Sequence, residues 1–311
     1  MSLTCESPWG PIPVADAHVH FFSNRFFAAL TAQDDDLTLA KAGEMLGWRM
    51  PPADPEQLAD EWVAELDRNG VKVAALIGSI PGDEASVVAA KRAHPDRFLA
   101  YTMVNPHETE SLSWPPKDFA DIDAVCLFPA MHRFSMHADC VKPVFHWARE
   151  HGRAVFIHCG VLSVGVRRKL GLSSPFDMRY SNPIDVQGIA IQYPEVPIIV
   201  PHFGAGYFRE TLMLADLCPN VYLDTSSSNS WVKYYSVEPD MRHIFRHALS
   251  VVGDERLLFG TDSSFFPRGW HREIFEEQAT ALYEIAVSEH DARNIFGKNL
   301  MRIFRRHAHS V

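Results

Sequence analysis

The sequence predicts a (β/α)8 TIM barrel with two long insertions after strands and an extra C-terminal helix. Three observations predict this fold. Eight short apolar runs alternate with helical patterns along the chain, which is typical of a parallel sheet. The length of 311 residues suits one barrel of roughly 250 residues plus insertions. No run is followed by a glycine-rich phosphate-binding loop, which weakens the alternative of a doubly wound open sheet.

The individual elements follow from hydrophobic periodicity and from local start and stop residues. Short apolar runs predict strands near residues 11–20, 71–77, 97–104, 122–128, 153–159, 196–202, 221–225 and 256–261. Helical spacing predicts helices near residues 54–69, 83–94, 139–151, 183–193, 204–217, 239–252, 271–288 and 290–306. The first helix is well marked, because Asp54 suits its N-cap, Pro55 its first position and Gly70 its end.

Two segments are too long to be simple turns between a strand and a helix. Residues 21–54 include Trp48 and Arg49, and we expect them to form a lid or a pocket wall. Residues 160–182 are rich in Arg, Ser and Gly. No internal repeat, low-complexity tract or linker is evident, so residues 1–311 are predicted to form a single domain.

The composition narrows the class of partner. There are 29 Lys and Arg against 39 Asp and Glu, a formal charge of −10, which argues against nucleic-acid binding. No run of apolar residues is long enough for a transmembrane helix, so we expect no membrane partner. The five cysteines show no CxxC spacing, and the first residues do not resemble a signal peptide. These features favour a reduced, cytoplasmic location. A homodimer is possible, and the sequence does not decide the oligomeric state.

The segment Asp16-Ala17-His18-Val19-His20 is the first candidate for chemistry. Side chains alternate faces along a strand, so Asp16, His18 and His20 are expected to point the same way. Two imidazoles on one face can bind a metal ion, and the carboxylate can orient one of them. The alternative is a pair of ordinary buried or surface histidines.

Three other predicted strands also end in residues that bind metals. His158 closes the fifth apolar run, His202 the sixth, and Asp262 follows the eighth. Barrel enzymes place their chemistry at the C-terminal ends of the strands, so these side chains should converge. Nitrogen-rich coordination with one carboxylate suits Zn²⁺ and tolerates Mn²⁺, Fe²⁺ or Co²⁺.

Further residues near the strand ends are candidates for binding a substrate. An arginine fork could pair with a substrate carboxylate, although surface charge is the alternative for each arginine. A carboxylate on the seventh strand could hydrogen-bond a ligand or play a structural role. The candidates are Trp48, Arg49, His132, Arg209, Asp224 and Arg268. His307 and His309 in the tail are expected to be solvated.

Taken together, these motifs resemble the amidohydrolase superfamily, and within it the amidohydrolase-related branch. The resemblance runs from the Asp16–His20 motif through Phe156-Ile157-His158-Cys159-Gly160, Pro201-His202-Phe203-Gly204 and Phe259-Gly260-Thr261-Asp262-Ser263 to Asn294-Ile295-Phe296-Gly297-Lys298-Asn299. It therefore covers nearly the whole chain and specifies the superfamily rather than a substrate.

The resemblance implies a role for each motif. It makes His18, His20, His158 and Asp262 the metal ligands, and it places His202 beside the metal, where it acts on water or substrate. Members with two metals carry a carboxylated lysine or a glutamate at the end of strand four. This chain has Cys126-Leu127-Phe128-Pro129 there, so one metal is expected.

The residues and the resemblance favour hydrolysis over two alternatives. Asp262 or His202 would act as general base while water attacks a lactone, ester or amide of a small, anionic molecule. The same branch contains non-oxidative decarboxylases resembling the aminocarboxymuconate-semialdehyde enzyme, which gives decarboxylation of an aromatic or enoic acid as the alternative. A non-catalytic, metal-stabilised binding module is the third possibility, but its metal site would be closed and rich in cysteine.

Overall fold

The computed structural model describes residues 3–108, 114–227, 230–236 and 239–305. It begins with a short antiparallel hairpin of β1 (Cys5–Ser7) and β2 (Gly10–Ile12), which the sequence did not predict. Residues 11 and 12 belong to this hairpin rather than to the first barrel strand. The hairpin turn, Pro8-Trp9, lies between Ser7 and Gly10, and the Ser7 hydroxyl donates to the Gly10 carbonyl.

Eight parallel strands follow, each paired with the next one along the chain. The two ends of the sheet meet, because the Ala17 N–H donates to the Phe259 carbonyl at 2.8 Å and the His20 N–H to the Ser263 carbonyl at 2.7 Å. This closure makes the fold a (β/α)8 barrel and excludes the open sheet. The strands are β3 (Val14–Phe21), β4 (Val71–Gly78), β5 (Phe98–Val104), β6 (Ala124–Leu127), β7 (Ala154–Ile157), β8 (Ile198–Val200), β9 (Val221–Asp224) and β10 (Leu257–Leu258).

Helices surround the barrel and build the insertions. They are α1 (Asn24–Thr31), α2 (Leu39–Leu46), α3 (Pro55–Asn69), α4 (Glu84–Ala93), α5 (Pro129–His132), α6 (Lys142–Glu150), α7 (Gly165–Lys169), α8 (Gln187–Gln192), α9 (Phe208–Leu217), α10 (Met241–Val252), α11 (Arg272–Glu284), α12 (Glu289–Arg293) and α13 (Asn299–Arg305). Helix α3 confirms its predicted caps, since the Asp54 side chain accepts from the Glu56 N–H and Gly70 is left-handed.

Two predicted helices differ most from the structure. The helix expected from residue 204 begins only at Phe208, because residues 202–206 all have positive φ angles and cannot continue a right-handed helix. The helix expected over 290–306 is interrupted by a π-helical turn, Asn294–Lys298. His307 and His309 lie outside the described residues.

The strand side chains alternate between two packed layers. One set, including Ala75, Tyr101 and Phe156, fills the inside of the barrel. The alternate set, including Leu76 and Val155, packs outward against the helices. At the C-terminal end of each strand the next inward side chain faces the mouth of the barrel, which is where functional groups are expected.

The two insertions pack against each other. Helices α1 and α2 from the first insertion and α7 from the second share one hydrophobic cluster, which includes Phe26, Leu30, Leu46, Val166 and Leu170. The cluster also contacts Phe22, the first residue after β3, so the insertions lie beside the end of the His18–His20 strand. Among the described residues, no helix is both long and apolar enough to cross a bilayer.

Candidate metal centre

The strand that carries both histidines is irregular, which corrects the predicted orientation of Asp16. Its pairing with β4 shifts between Asp16 and Val19. Ala15 and Ala17 both pack inside the barrel, so Asp16 points outward, while His18 points to the mouth. Asp16 and His18 therefore do not share a face as a period of two would require.

Asp16 joins the two ends of the barrel instead of orienting an imidazole. Its carboxylate accepts from the His18 backbone N–H at 2.9 Å, from the Thr261 hydroxyl at 2.6 Å and from the Trp270 indole at 2.8 Å. Burial raises the pKa of this carboxyl to about 6, although these hydrogen bonds oppose the rise. The contacts fix the backbone of His18 relative to the segment that carries Asp262.

Three of the predicted ligands form one compact group. Ligand atoms of His18, His20 and Asp262 all lie within 4.8 Å of one another. The Nε2 atoms of the two imidazoles are 3.4 Å apart, and Asp262 Oδ1 lies 3.2 Å from His20 Nε2 and 3.7 Å from His18 Nε2. The group is at the C-terminal mouth of the barrel, as the strand ends predicted.

Hydrogen bonds at the opposite nitrogens fix the tautomers of both rings. His18 Nδ1 lies 2.6 Å from Asp224 Oδ2, and a carboxylate can only accept, so Nδ1 carries the proton. His20 Nδ1 lies 2.8 Å from the Ser79 hydroxyl, which itself donates to the Ile77 carbonyl and therefore accepts from the ring. Both Nε2 atoms are thereby left to face Asp262 with their lone pairs.

This arrangement requires a cation among the three groups. Two nitrogen lone pairs and a carboxylate oxygen repel one another unless a proton or a metal ion lies between them. In the metal-free protein a proton can serve: burial lowers the pKa of His18, but the carboxylates of Asp224, Asp262 and Asp16 together raise it more, and the net shift is upward. A divalent ion could take the place of this proton, because two imidazole nitrogens and a carboxylate oxygen are common metal ligands. The residues present therefore fit a metal ion.

Asp262 is held ready as an anion. Burial raises the pKa of its carboxyl, but a proton shared with His20 and positive charge on the neighbouring imidazoles lower it further, well below its usual range. Ser227 donates to Oδ2 at 2.8 Å, which leaves Oδ1 directed at the histidines. The backbone of Asp262 has φ 59°, a strained conformation that is characteristic of functional sites.

His158 and His202 lie beside the compact group. The His202 ring centroid is 4.9 Å from that of His18 and 5.3 Å from that of His158. His158 Nδ1 is buried without a hydrogen-bond partner among the described residues, so it is free to coordinate an ion or to accept a hydrogen bond from a bound molecule. Burial lowers the pKa of both rings, which keeps them neutral and able to coordinate.

Gly260 makes room for this arrangement. A Cβ atom at this position would lie 2.5 Å from Asp224 Oδ1 and 3.0 Å from Cβ of both His18 and Ser226. Any side chain would therefore push apart the carboxylate and the imidazole that it orients. Glycine is required here by close approach rather than by an unusual backbone angle.

Two of the predicted substrate contacts are engaged elsewhere. Arg209 pairs with Glu210, and 82% of its side chain is exposed. Arg49 forms a bidentate ion pair with Glu61, with 53% of its side chain exposed. The structure brings neither guanidinium to the histidines, because each has a carboxylate partner on the surface.

Arg268 and Trp48 do lie near the metal centre. The Arg268 guanidinium donates to the Asp262 carbonyl at 3.2 Å and lies 4.5 Å from the centroid of the Phe265 ring. Trp48 stacks on the same Phe265 ring at a centroid distance of 3.9 Å, with an angle of 9° between the planes. Phe22 stacks on His20 at 5.3 Å, so aromatic rings border the group on this side.

The last two predicted contacts have different surroundings. Asp224 is fully buried and accepts a hydrogen bond from His18, so it orients one of the predicted ligands. His132, at the end of α5, has a buried Nδ1 without a partner among the described residues. Burial lowers its pKa to about 4, an effect that the charge of Glu108, a residue after β5, opposes.

Sequence reasoning missed the small residues that hold the ligands. Ser79, Ser226 and Ser227 contact His20, His202 and Asp262, and Gly260 provides space. Their positions in the sequence could have indicated them, because each serine lies within three residues of the C-terminal end of a barrel strand.

Comparison with known proteins places the fold in a family. The amidohydrolase family model matches residues 15–306, and the chain belongs to that family. Protein fluG of Emericella nidulans is 40% identical over 87 residues, which are 28% of this chain and 10% of that protein. The chain thus spans about a tenth of the length of this curated relative.

Two solved structures have the same fold. A 5-carboxyvanillate decarboxylase from Novosphingobium aromaticivorans, complexed with manganese and 4-hydroxy-3-methoxy-5-nitrobenzoic acid, is 14% identical, with a TM-score of 0.62 over 98% of this chain and 99% of that one. A probable 2-pyrone-4,6-dicarboxylic acid hydrolase from Acinetobacter baumannii, with citric acid bound, is also 14% identical, with a TM-score of 0.59 over 94% and 100% of the two chains. The same barrel fold thus occurs in a decarboxylase and in a probable hydrolase.

Proposed function

We propose that this protein is a hydrolase that holds one divalent metal ion through His18, His20, His158 and Asp262. The observation that carries the proposal is the convergence of two fixed Nε2 lone pairs and a carboxylate within 4.8 Å. Zn²⁺ suits this donor set, and Mn²⁺, Fe²⁺ and Co²⁺ are compatible with it. When bound, such an ion lowers the pKa of water toward about 7 and polarises a carbonyl.

The residues around the ion have separate roles in this proposal. Asp262 accepts a proton from the attacking water, and Ser227 holds its Oδ2 in place. His202 offers Nε2 to the substrate, because its Nδ1 is held 3.0 Å from the Ser226 carbonyl. Hydrolysis of a small lactone would give one hydroxy acid, whereas an ester would give an acid and an alcohol, and an amide an acid and an amine.

Decarboxylation of an aromatic or enoic acid is the second candidate. The observation that favours it is Arg268, a cation beside Asp262 that also stacks on Phe265. A carboxylate on a planar molecule suits these neighbours. A decarboxylase must bind a substrate that carries a carboxylate, whereas a hydrolase can act on substrates with or without one.

A substrate screen separates the candidates. The Zn²⁺- and Mn²⁺-loaded protein is incubated with lactones, esters, amides and aromatic or enoic acids, and both acid production and CO₂ release are measured. We expect acid production that stops on chelation and returns with metal. Release of CO₂ without new acid would assign decarboxylation instead. A protein that binds one metal and turns over none of these compounds would favour a binding module.

Arg268 gives a prediction about the charge of the substrate. With an active carboxylic acid, Arg268→Ala should raise KM by about tenfold or more, because a hydrogen bond to a charged group is lost. Arg268→Lys should recover little, since an ammonium cannot form the bidentate contact. The methyl ester of the same substrate should show no such change. Arg209→Ala is the matched control and should leave both KM values as they are; equal KM changes for acid and ester would refute an anionic substrate.

A further inference from the structure

Ser226 contacts two of the histidines at the metal centre. Its hydroxyl lies 2.9 Å from His202 Nδ1 and 3.0 Å from His18 Nδ1. Its carbonyl lies 3.0 Å from the same His202 Nδ1. The residue is fully buried two positions after β9, and its placement is not explained by packing alone, because all three contacts are polar.

The hydroxyl is available to His202 because His18 has a better partner. His18 Nδ1–H donates a hydrogen bond to Asp224 Oδ2 at 2.6 Å, which is shorter than the 3.0 Å from Nδ1 to the Ser226 hydroxyl. The other oxygen of Asp224 accepts from the Ser226 backbone N–H at 2.7 Å and so fixes the serine in place. Asp224 thus serves the metal-binding imidazole and Ser226 serves its neighbour.

His202 Nδ1 therefore has an acceptor and a donor within reach at once. A carbonyl can only accept, so it holds the ring when Nδ1 carries the hydrogen. A hydroxyl can also donate, so it holds the ring when Nδ1 is bare and the hydrogen is on Nε2. The two contacts keep the ring in one orientation in either neutral tautomer, since both meet the same nitrogen.

We propose that Ser226 is a positioning residue that lets neutral His202 present Nε2 either as an acceptor or as a hydrogen-bond donor without moving the ring. In one state His202 Nδ1–H donates to the Ser226 carbonyl, and Nε2 accepts from a water or a substrate hydroxyl. In the other the Ser226 hydroxyl donates to Nδ1, and Nε2–H donates to an anionic oxygen of the substrate. The proton count of the ring is the same in both states.

This inference rests on the proposed function, in which His202 faces the substrate through Nε2. It adds that the hydroxyl of Ser226, and not its carbonyl, supplies the donor form. Removal of the hydroxyl alone should lock His202 in the Nδ1–H form. The Asp224–His18 hydrogen bond stays intact in that variant, so metal binding should not change.

The test is Ser226→Ala in the whole 311-residue Zn²⁺-loaded chain, with benzoate as a simple anionic probe. In ¹⁵N NMR of histidine-labelled protein, benzoate should shift His202 of the wild type toward the Nε2–H form. The variant should stay in the Nδ1–H form and bind benzoate at least about tenfold more weakly, with metal affinity within about threefold. Ser226→Cys, which keeps the volume but donates weakly, should lie between the two and serves if the alanine variant does not fold.

Ser86→Ala is the matched control, because Ser86 is another buried serine, whose hydroxyl donates to Asp83 at the start of α4. It should leave the His202 signals unchanged. Identical tautomers in wild type and Ser226→Ala, or a loss of metal together with benzoate, would overturn the inference. The NMR readout needs no turnover, so a tautomer change in a protein without hydrolytic activity would support the inference and count against the proposed function alone.

Discussion

Replacing Asp262 with alanine should abolish tight binding of a divalent ion and remove detectable turnover. Asp262 is the carboxylate of the compact group, and its Oδ1 lies within 3.7 Å of Nε2 on both His18 and His20. Without it, two neutral imidazoles face each other with no anion to balance the charge of the ion. Mutation of a residue that hydrogen-bonds a metal ligand typically lowers metal affinity by about 10- to 100-fold. Mutation of a residue that contacts the ion directly should lower it more.

Metal content and affinity give the measurement for Asp262. Elemental analysis of the purified variant and titration with Zn²⁺ are compared with the wild type, together with initial rates. Asp262→Asn is the matched variant, because it keeps the shape and the hydrogen bond from Ser227 but removes the negative charge. It should bind metal weakly rather than not at all. An alanine variant that keeps one tightly bound ion would show that Asp262 is not a ligand.

The sequence could predict the parts of the fold that depend on local patterns. Apolar runs located all eight barrel strands, and the Asp54-Pro55 and Gly70 signals located α3. The convergence of His18, His20 and Asp262 was also predictable, because parallel strands place their C-terminal ends on one face of the barrel. These features need only short segments and one rule of topology.

The sequence could not predict features that depend on contacts between distant segments. The irregularity that turns Asp16 outward is compensated by Thr261 and Trp270, more than 200 residues away. The pairing of His18 with Asp224 spans a similar distance and depends on the space left by Gly260. In an ideal strand, side chains alternate between the two faces with a period of two. The strand that closes this barrel, β3, departs from that alternation.

His202 is the residue whose predicted role most needs a mutational test. Its backbone has φ 57° in a left-handed turn after β8, and Ser226 holds its ring through Nδ1. The imidazole lies beside His18 but outside the compact group of ligand atoms. A positioned acid or base typically contributes about 10²- to 10⁴-fold to the rate, so His202→Ala should lower kcat by that amount. Its metal affinity should stay within about threefold of the wild type.

His158→Ala is the matched comparison for His202→Ala, because both are buried histidines whose rings lie 5.3 Å apart. We expect His158→Ala to weaken metal binding, since its unpartnered Nδ1 is a candidate ligand atom. The two variants should therefore separate when metal affinity is plotted against kcat: His202→Ala loses rate and keeps metal, and His158→Ala loses both. If His202→Ala emptied the site, its ring would have to be reassigned as a ligand. If His158→Ala kept its metal and lost rate, the unpartnered nitrogen would belong to substrate binding, since a buried polar atom needs a partner of some kind.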